Sequence, residues 1–307
     1  MKIAVYGTGG VGGYFGARLA AAGEDVTFIA RGSHLAAIRQ NGLKVTSANG
    51  DVLVKPAKAT DDVASIGPVD VTMLCVKLWD LDDAAEACRP LVSGGGCVIP
   101  FQNGVDAIDR AAAKLGRDKV VGGVAAIAAV IGAPGVIKHT GTMAKIAFGE
   151  ADGSRSARVD AFFAACKKAG IDADVPASIV VAQWRKFMLL ASCSGWTSVT
   201  RQTFGVVRSD PEIRQGLRNA IAEVQALAKA RGVPIPEQAV DETLAMVDKM
   251  PAEMKTSMSQ DLERGNRLEA PWLSGTVARL GQESGVPTPV HATLAAALRP
   301  YQDGAKT

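Results

Sequence analysis

Short apolar runs alternate with amphipathic stretches through the first half of the chain, and the alternation stops near residue 175. Residues 3–6, 25–29, 71–76 and 96–101 are compact apolar runs of strand length. Residues 14–22, 81–92, 107–115 and 157–169 carry helical spacing. This is the signature of parallel βαβ units. Residues 43–47 and 52–55, with Asn49-Gly50 between them, predict a hairpin. Residues 120–148 read as strands joined by tight turns, an antiparallel extension of the sheet, and 172–175 as a last short strand. Beyond them, 179–192, 213–231, 238–250 and 273–284 all have helical spacing, punctuated by Pro234, Pro236, Pro251, Pro287 and Pro289. The pattern predicts an α/β domain over 1–175 and an all-α domain over 176–307, with residues 304–307 frayed.

Composition narrows the class. With 307 residues, 48% hydrophobic and 21% charged, the chain has the balance of a soluble globular protein large enough for two cores. A net charge of +3 with dispersed basic residues argues against nucleic acid as a partner. Residues 120–137 are uncharged over about the length of a short membrane helix, but Gly122, Gly123, Gly132, Pro134 and Gly135 favour strands and a turn, so no membrane association is expected. Five scattered cysteines without C-x-x-C spacing read as free thiols in a reducing cytoplasm, and no metal site is expected.

The first strand runs directly into Gly7-Thr8-Gly9-Gly10-Val11-Gly12, a G-x-G-x-x-G turn followed by a helix. In that context the first glycine permits the tight turn and the second lets the backbone approach a pyrophosphate. The third lets helix and strand pack closely, and the helix N-terminus faces the phosphate charge. The second strand ends at Ala30-Arg31-Gly32-Ser33, with no acid where NAD-binding proteins hold the ribose 2′-hydroxyl. An arginine there suits a 2′-phosphate and hence NADPH, the alternative being a solvated loop arginine.

Lys77 follows the strand at 71–76, and Gln102-Asn103-Gly104 follows the strand at 96–101. Polar residues at the carboxyl ends of parallel strands face the ligand crevice of such sheets. Asn103 offers donor and acceptor together. Lys186 lies within the apolar run Trp184-Arg185-Lys186-Phe187-Met188-Leu189-Leu190. It either snorkels to solvent or faces a cleft, where desolvation makes it a better proton donor. The polar stretch from Lys255 to Gly265 reads, by itself, as a solvated helix with i,i+4 charge pairs.

Taken together these pieces resemble the ketopantoate reductase (2-dehydropantoate 2-reductase) family over nearly the full length. They are the glycine motif, Lys77, Gln102-Asn103-Gly104, Trp184-x-Lys186-Phe187, Ser257-Met258-x-Gln260-Asp261, Glu269 and Gly285-Val286-Pro287-Thr288-Pro289. The resemblance implies a Rossmann domain joined to a helical domain, with the active site in the cleft between. It implies Lys186 as the general acid and Glu269 as the second catalytic residue, with Ser257 on the substrate carboxylate. Asn103 would bridge substrate and nicotinamide, and Lys77 and Arg31 would belong to the NADPH site. The family carries asparagines four and eight residues after the lysine; this chain has Leu190 and Ser194 at those substrate-binding positions.

The expectation is therefore an NADPH-dependent reductase of a small-molecule 2-oxo acid, 2-dehydropantoate first. Another branched or apolar 2-oxo acid is the alternative substrate. A non-catalytic NADP(H)-binding regulator is the alternative from a different class, disfavoured because a sensor needs no proton donor. A β-hydroxyacid dehydrogenase is disfavoured by the lack of a glycine-rich lysine motif at the start of the second domain. The sequence leaves monomer and homodimer open.

Overall fold

The computed structural model describes residues 1–305, which pack as two units. In the first, β1 (Lys2–Tyr6), α1 (Gly10–Ala21), β2 (Asp25–Ile29) and α2 (Gly32–Asn41) come first. The hairpin β3 (Leu43–Thr46) and β4 (Val52–Val54) precedes β5 (Lys58–Thr60) and β6 (Val71–Leu74). The helix expected over 81–92 is broken into α3 (Leu81–Ala87) and α4 (Arg89–Val92), because Pro90 has no N–H for the ladder and its ring crowds the carbonyl four residues back. β7 (Cys97–Pro100), α5 (Ala107–Leu115), β8 (Gly122–Ala133), β9 (Val136–Gly149), α6 (Ala157–Lys168) and β10 (Asp172–Asp174) follow.

Five strands form a parallel sheet in the order β5-β2-β1-β6-β7. Val5 of β1 lies opposite Phe28 on one side and Met73 on the other. The chain thus leaves β1 in one direction and returns on the other side, and the carboxyl end of β1 is the switch point at which such sheets bind ligands. Ile3, Val5, Phe15, Phe28, Met73 and Ile99 are fully buried around it.

Residues 120–148 do not simply extend this sheet. β8 and β9 form an antiparallel hairpin in a second sheet, order β10-β9-β3-β4. Its link to β7 is short, a bridge between Val98 and Val120 and a Val121 N–H to Val98 carbonyl bond of 3.0 Å. The reason is the length of β9: β8 pairs along one of its edges from end to end, and β3 and β10 pair parallel to the two ends of its other edge. Among the described residues, no helix is long and apolar enough to cross a membrane.

The second unit contains Asn103–Val105 and the chain from Val180 onward. The division therefore falls after Ile179 rather than after 175, and it assigns three residues beyond β7 to the helical body. Ile179 packs on the first unit, where a Cβ at Gly122 would come within 2.8 Å of its side chain. The helices are α7 (Ile179–Thr200), α8 (Phe204–Ser209), α9 (Pro211–Ala230), α10 (Ala239–Asp248), α11 (Ser257–Glu263), α12 (Ser274–Ser284) and α13 (Pro289–Leu298). α7 is apolar on most of its circumference, as a central helix must be. It buries Trp184, Phe187, Met188, Ala191 and Cys193 against Leu217, Ile221, Val224 and Leu273. The fraying expected at 304–307 does not hold for Gly304 and Ala305, which are tied down by N–H bonds to Tyr301 and Gly265 carbonyls; residues 306 and 307 lie outside the described residues.

A buried polar knot joins α9, α12 and α13. The Glu223 carboxylate accepts the N–H groups of Val290 (2.7 Å) and His291 (3.0 Å), capping α13 from a neighbouring helix. His291 is fully buried, with Nε2 3.1 Å from the Ala220 carbonyl and Nδ1 3.3 Å from Ser274 Oγ. Both contacts suit one neutral tautomer, in which Nε2 donates and Nδ1 accepts. Burial pushes the imidazole down to about 4, opposed by the bond to Ala220.

The unfolded chain therefore takes up this proton first, and the stability that His291 contributes is present above pH ~6.5 and lost as pH falls towards 4. Glu223, whose carboxyl is raised by burial, acts in the opposite sense near its own range. We expect urea unfolding between pH 6 and 5 to show a stability slope of about 1.4 kcal/mol per pH unit from this one group. His291→Gln should remove that part of the slope; an unchanged slope would mean the imidazole is protonated in the fold.

Candidate active site

The glycine turn is built as the nucleotide motif requires. Gly7 has φ +96°, open to glycine, and a Cβ there would lie 2.9 Å from the Cys75 carbonyl. At Gly12 a Cβ would come within 2.3 Å of the Gly7 oxygen, so only glycine lets α1 seat on β1. Beside Gly9 the space is open. Gly9 caps α1 without a side-chain hydrogen bond, so the N–H groups of Gly10, Val11 and Gly12 open the helix with no intrahelical acceptor. Thr8 anchors the turn: its N–H and hydroxyl both donate to the Ile29 carbonyl, at 3.2 and 2.9 Å.

Arg31 is exposed at the N-cap of α2, two residues past β2. Burial pushes the Tyr6 phenol up, and its interaction with Arg31 opposes that shift. An open turn lined by helix-terminal N–H groups, with an arginine and no carboxylate at the end of β2, fits a dinucleotide bearing a 2′-phosphate. Lys77 is exposed beyond β6, its ammonium 5.6 Å from the Trp79 ring centre. Gln102 does work that the sequence left unassigned: its amide donates to the carbonyls of Leu74 (2.9 Å) and Val76 (3.1 Å), clamping the segment after β6 to the end of β7.

In the helical unit three of the expected residues come together. Lys186 Nζ donates to Asn103 Oδ1 at 2.9 Å, and Asn103 Nδ2 donates to Glu269 Oε2 at 3.4 Å. The ammonium and the carboxylate between them orient the Asn103 amide. Glu269 is buried, at the start of a short 3₁₀ turn over Ala270–Trp272. Burial pulls Lys186 down to about 8, and the negative charge of Glu269 opposes the shift. A lysine so placed is still mostly protonated at neutral pH, yet gives up its proton far more readily than a solvated one.

The other expected residues stand apart from this hydrogen-bonded group. Leu190, one turn along α7 from Lys186, is partly buried and packs on the helical core. Ser194, a further turn on, is fully buried with its hydroxyl unpartnered. Ser257 is exposed on the first turn of α11. That turn is pinned to α7 by a buried hydroxyl pair absent from the sequence reading, Thr256 Oγ1 and Thr197 Oγ1 at 2.8 Å, and by Ser259 Oγ donating to the Thr197 carbonyl at 3.2 Å. Thr256 is also the N-cap of α11, accepting from Ser259 N–H. A threonine directly ahead of a helical polar run is the one signal that pointed there.

Known proteins give the same organisation. Residues 3–153 match the family model described as "Ketopantoate reductase PanE/ApbA", and residues 178–302 match its C-terminal counterpart. A "2-dehydropantoate 2-reductase" of Mesorhizobium japonicum is 32% identical over 97% of each chain. The crystal structure of a 2-dehydropantoate 2-reductase from Geobacter metallireducens superposes with a TM-score of 0.91 at 31% identity, covering 98% of this chain and 99% of that one. D-mandelate dehydrogenase, solved with NADH and anilino(oxo)acetate, shares the fold with a TM-score of 0.88 at 20% identity, over 98% of both chains. With both halves matched and a relative above 30% identity along the whole length, the chain belongs to the ketopantoate reductase family and is an NADPH-dependent oxidoreductase.

Proposed function

We propose that this chain reduces the carbonyl of a 2-oxo acid to a 2-hydroxy acid, with Lys186 as the proton donor. The observation that carries this reading is the hydrogen-bonded series Lys186–Asn103–Glu269. Gly7 to Gly12, Arg31 and Lys77 are assigned to NADPH, which supplies a hydride when bound. Lys186 directs an N–H at the carbonyl oxygen, stabilises the charge that develops there and delivers the proton that completes the alcohol. Asn103 holds the ammonium in place from one side and offers its amide to the substrate region. Glu269 keeps positive charge on Lys186 and fixes Asn103. Ser257 is assigned to the substrate carboxylate, at the first turn of α11 where an anion is favoured.

The first substrate we assign is 2-dehydropantoate, the compound in the names of the full-length relatives. Leu190 favours a second reading, an apolar 2-oxo acid of similar size. It can neither donate nor accept, so a substrate hydroxyl buried against it loses ~1–3 kcal/mol.

Two experiments test the proposal. In Lys186→Ala, NADPH affinity should be retained while kcat falls ~10²–10⁴-fold; near-normal turnover would make the lysine structural. In the unaltered protein kcat/KM should fall as pH rises through about 8, where Lys186 loses its proton, and Glu269→Gln should move that limb to lower pH because the charge that holds the proton is gone. The substrate is tested by kcat/KM for 2-dehydropantoate against an apolar 2-oxo acid of similar size. Leu190→Asn should shift the ratio ~10-fold towards 2-dehydropantoate, since 1.4 kcal/mol is a factor of ten. A wide preference for 2-dehydropantoate before substitution would place Leu190 outside the pocket and leave the first substrate standing.

A further inference from the structure

One imidazole in the first unit sits where three separate segments meet. His34 is the third residue of α2, half-buried, and three positions after Arg31. Its Nε2 is 2.9 Å from the Thr8 carbonyl in the glycine turn, and its Nδ1 is 3.0 Å from the N–H of Gly135 in the β8–β9 turn. The Gly135 N–H can only donate, so Nδ1 must be the acceptor and Nε2 carries the proton. His34 therefore donates to Thr8. Burial holds the imidazole below its ordinary range, which keeps Nδ1 free to accept. Gly135 is fixed on its other side as well, since its carbonyl accepts the Lys44 N–H at 2.9 Å.

The consequence falls on the next peptide. Thr8 and Gly9 share a planar trans peptide unit, in which the carbonyl and the N–H point in opposite directions. With the Thr8 carbonyl drawn to His34, the Gly9 N–H is turned away from α2. Thr8 is anchored on its other side, its N–H and hydroxyl held by the Ile29 carbonyl, so the torsion left to set the Thr8–Gly9 peptide is the one that the His34 bond restrains. The same helix that supplies His34 begins beside Arg31.

We propose that His34 is a positioning residue for the cofactor: its bond to the Thr8 carbonyl aims the Gly9 N–H at the pyrophosphate and sets that donor's place relative to Arg31 and the 2′-phosphate. The assignment rests on the reading of Arg31 and the glycine turn as the NADPH site. It makes His34 matter to a ligand that spans both subsites and not to one that touches Arg31 alone.

The test is fluorescence titration of the full-length protein with NADPH, and calorimetric titration with adenosine 2′-phosphate, which reaches only the Arg31 end. His34→Ala should weaken NADPH ~10-fold and adenosine 2′-phosphate less than twofold. His34→Gln, whose amide nitrogen can take the Nε2 position and donate to Thr8, should recover most of the NADPH affinity. His34→Asn, which offers an acceptor at the Nδ1 position alone, should not. NADPH affinity within twofold of the unaltered protein in His34→Ala would overturn the assignment, as would parallel loss of both ligands or no recovery in His34→Gln. Failure of the underlying reading has a different signature, in the unaltered protein itself: equal affinity for NADPH and NADH with no binding of adenosine 2′-phosphate, which removes the assignment with it.

Discussion

An ammonium held inside an apolar helix is the constraint on which the helical unit of this protein depends. α7 has to be apolar to sit at the centre of the helical unit, and the acid role proposed for Lys186 requires it to be charged. Those demands conflict, because moving the charge out of water is costly unless it is paired and hydrogen-bonded. Asn103 and Glu269 resolve the conflict in series: the amide oxygen receives the ammonium proton, the amide nitrogen faces the carboxylate, and the carboxylate charge limits the loss of basicity. Neither partner lies near Lys186 in sequence. Asn103 comes from the segment after β7, and Glu269 from the link between α11 and α12.

The nucleotide half follows a different constraint, the close approach of backbone to backbone. Gly12, with no side chain of its own, lets α1 rest on the Gly7 carbonyl and the Val5 side chain of β1, and Gly7 turns the chain in a conformation open to glycine. The turn is then braced from behind by Thr8 on Ile29 and from the side by His34. A rigid turn suits its task, since donors fixed before the ligand arrives lose little freedom when it binds.

Local features were legible in the sequence because they obey local rules. The glycine turn, α5, the β3–β4 hairpin at Asn49-Gly50 and the change to helices near α7 all follow from periodicity and turn chemistry. What depended on long-range pairing was not legible. The fate of β8 and β9 is set by the parallel partners β3 and β10, which no local pattern announces. The division of 81–92 turned on Pro90, visible but read as part of one helix. In the site, Lys186 stood out as a charge in an apolar run, whereas Glu269 and Ser257 emerged only through resemblance to a family. Gln102, Thr256 and His34 act on backbone groups and hydroxyls of remote segments, as in the pair of His34 and Gly135, 101 residues apart, and such partners leave no trace in spacing.

The state of Lys186 before any ligand arrives is directly measurable. Carbon-13 labelling of lysine side chains, with the Lys186 resonance assigned by its loss in a Lys186→Arg variant, gives the titration of this one ammonium in the cofactor-free protein. An ammonium buried beside Asn103 and Glu269 should give a midpoint at about 8. A midpoint at the ordinary lysine value of 10.5 would contradict this, placing the ammonium in water and leaving the Asn103–Glu269 pair without the role proposed for it.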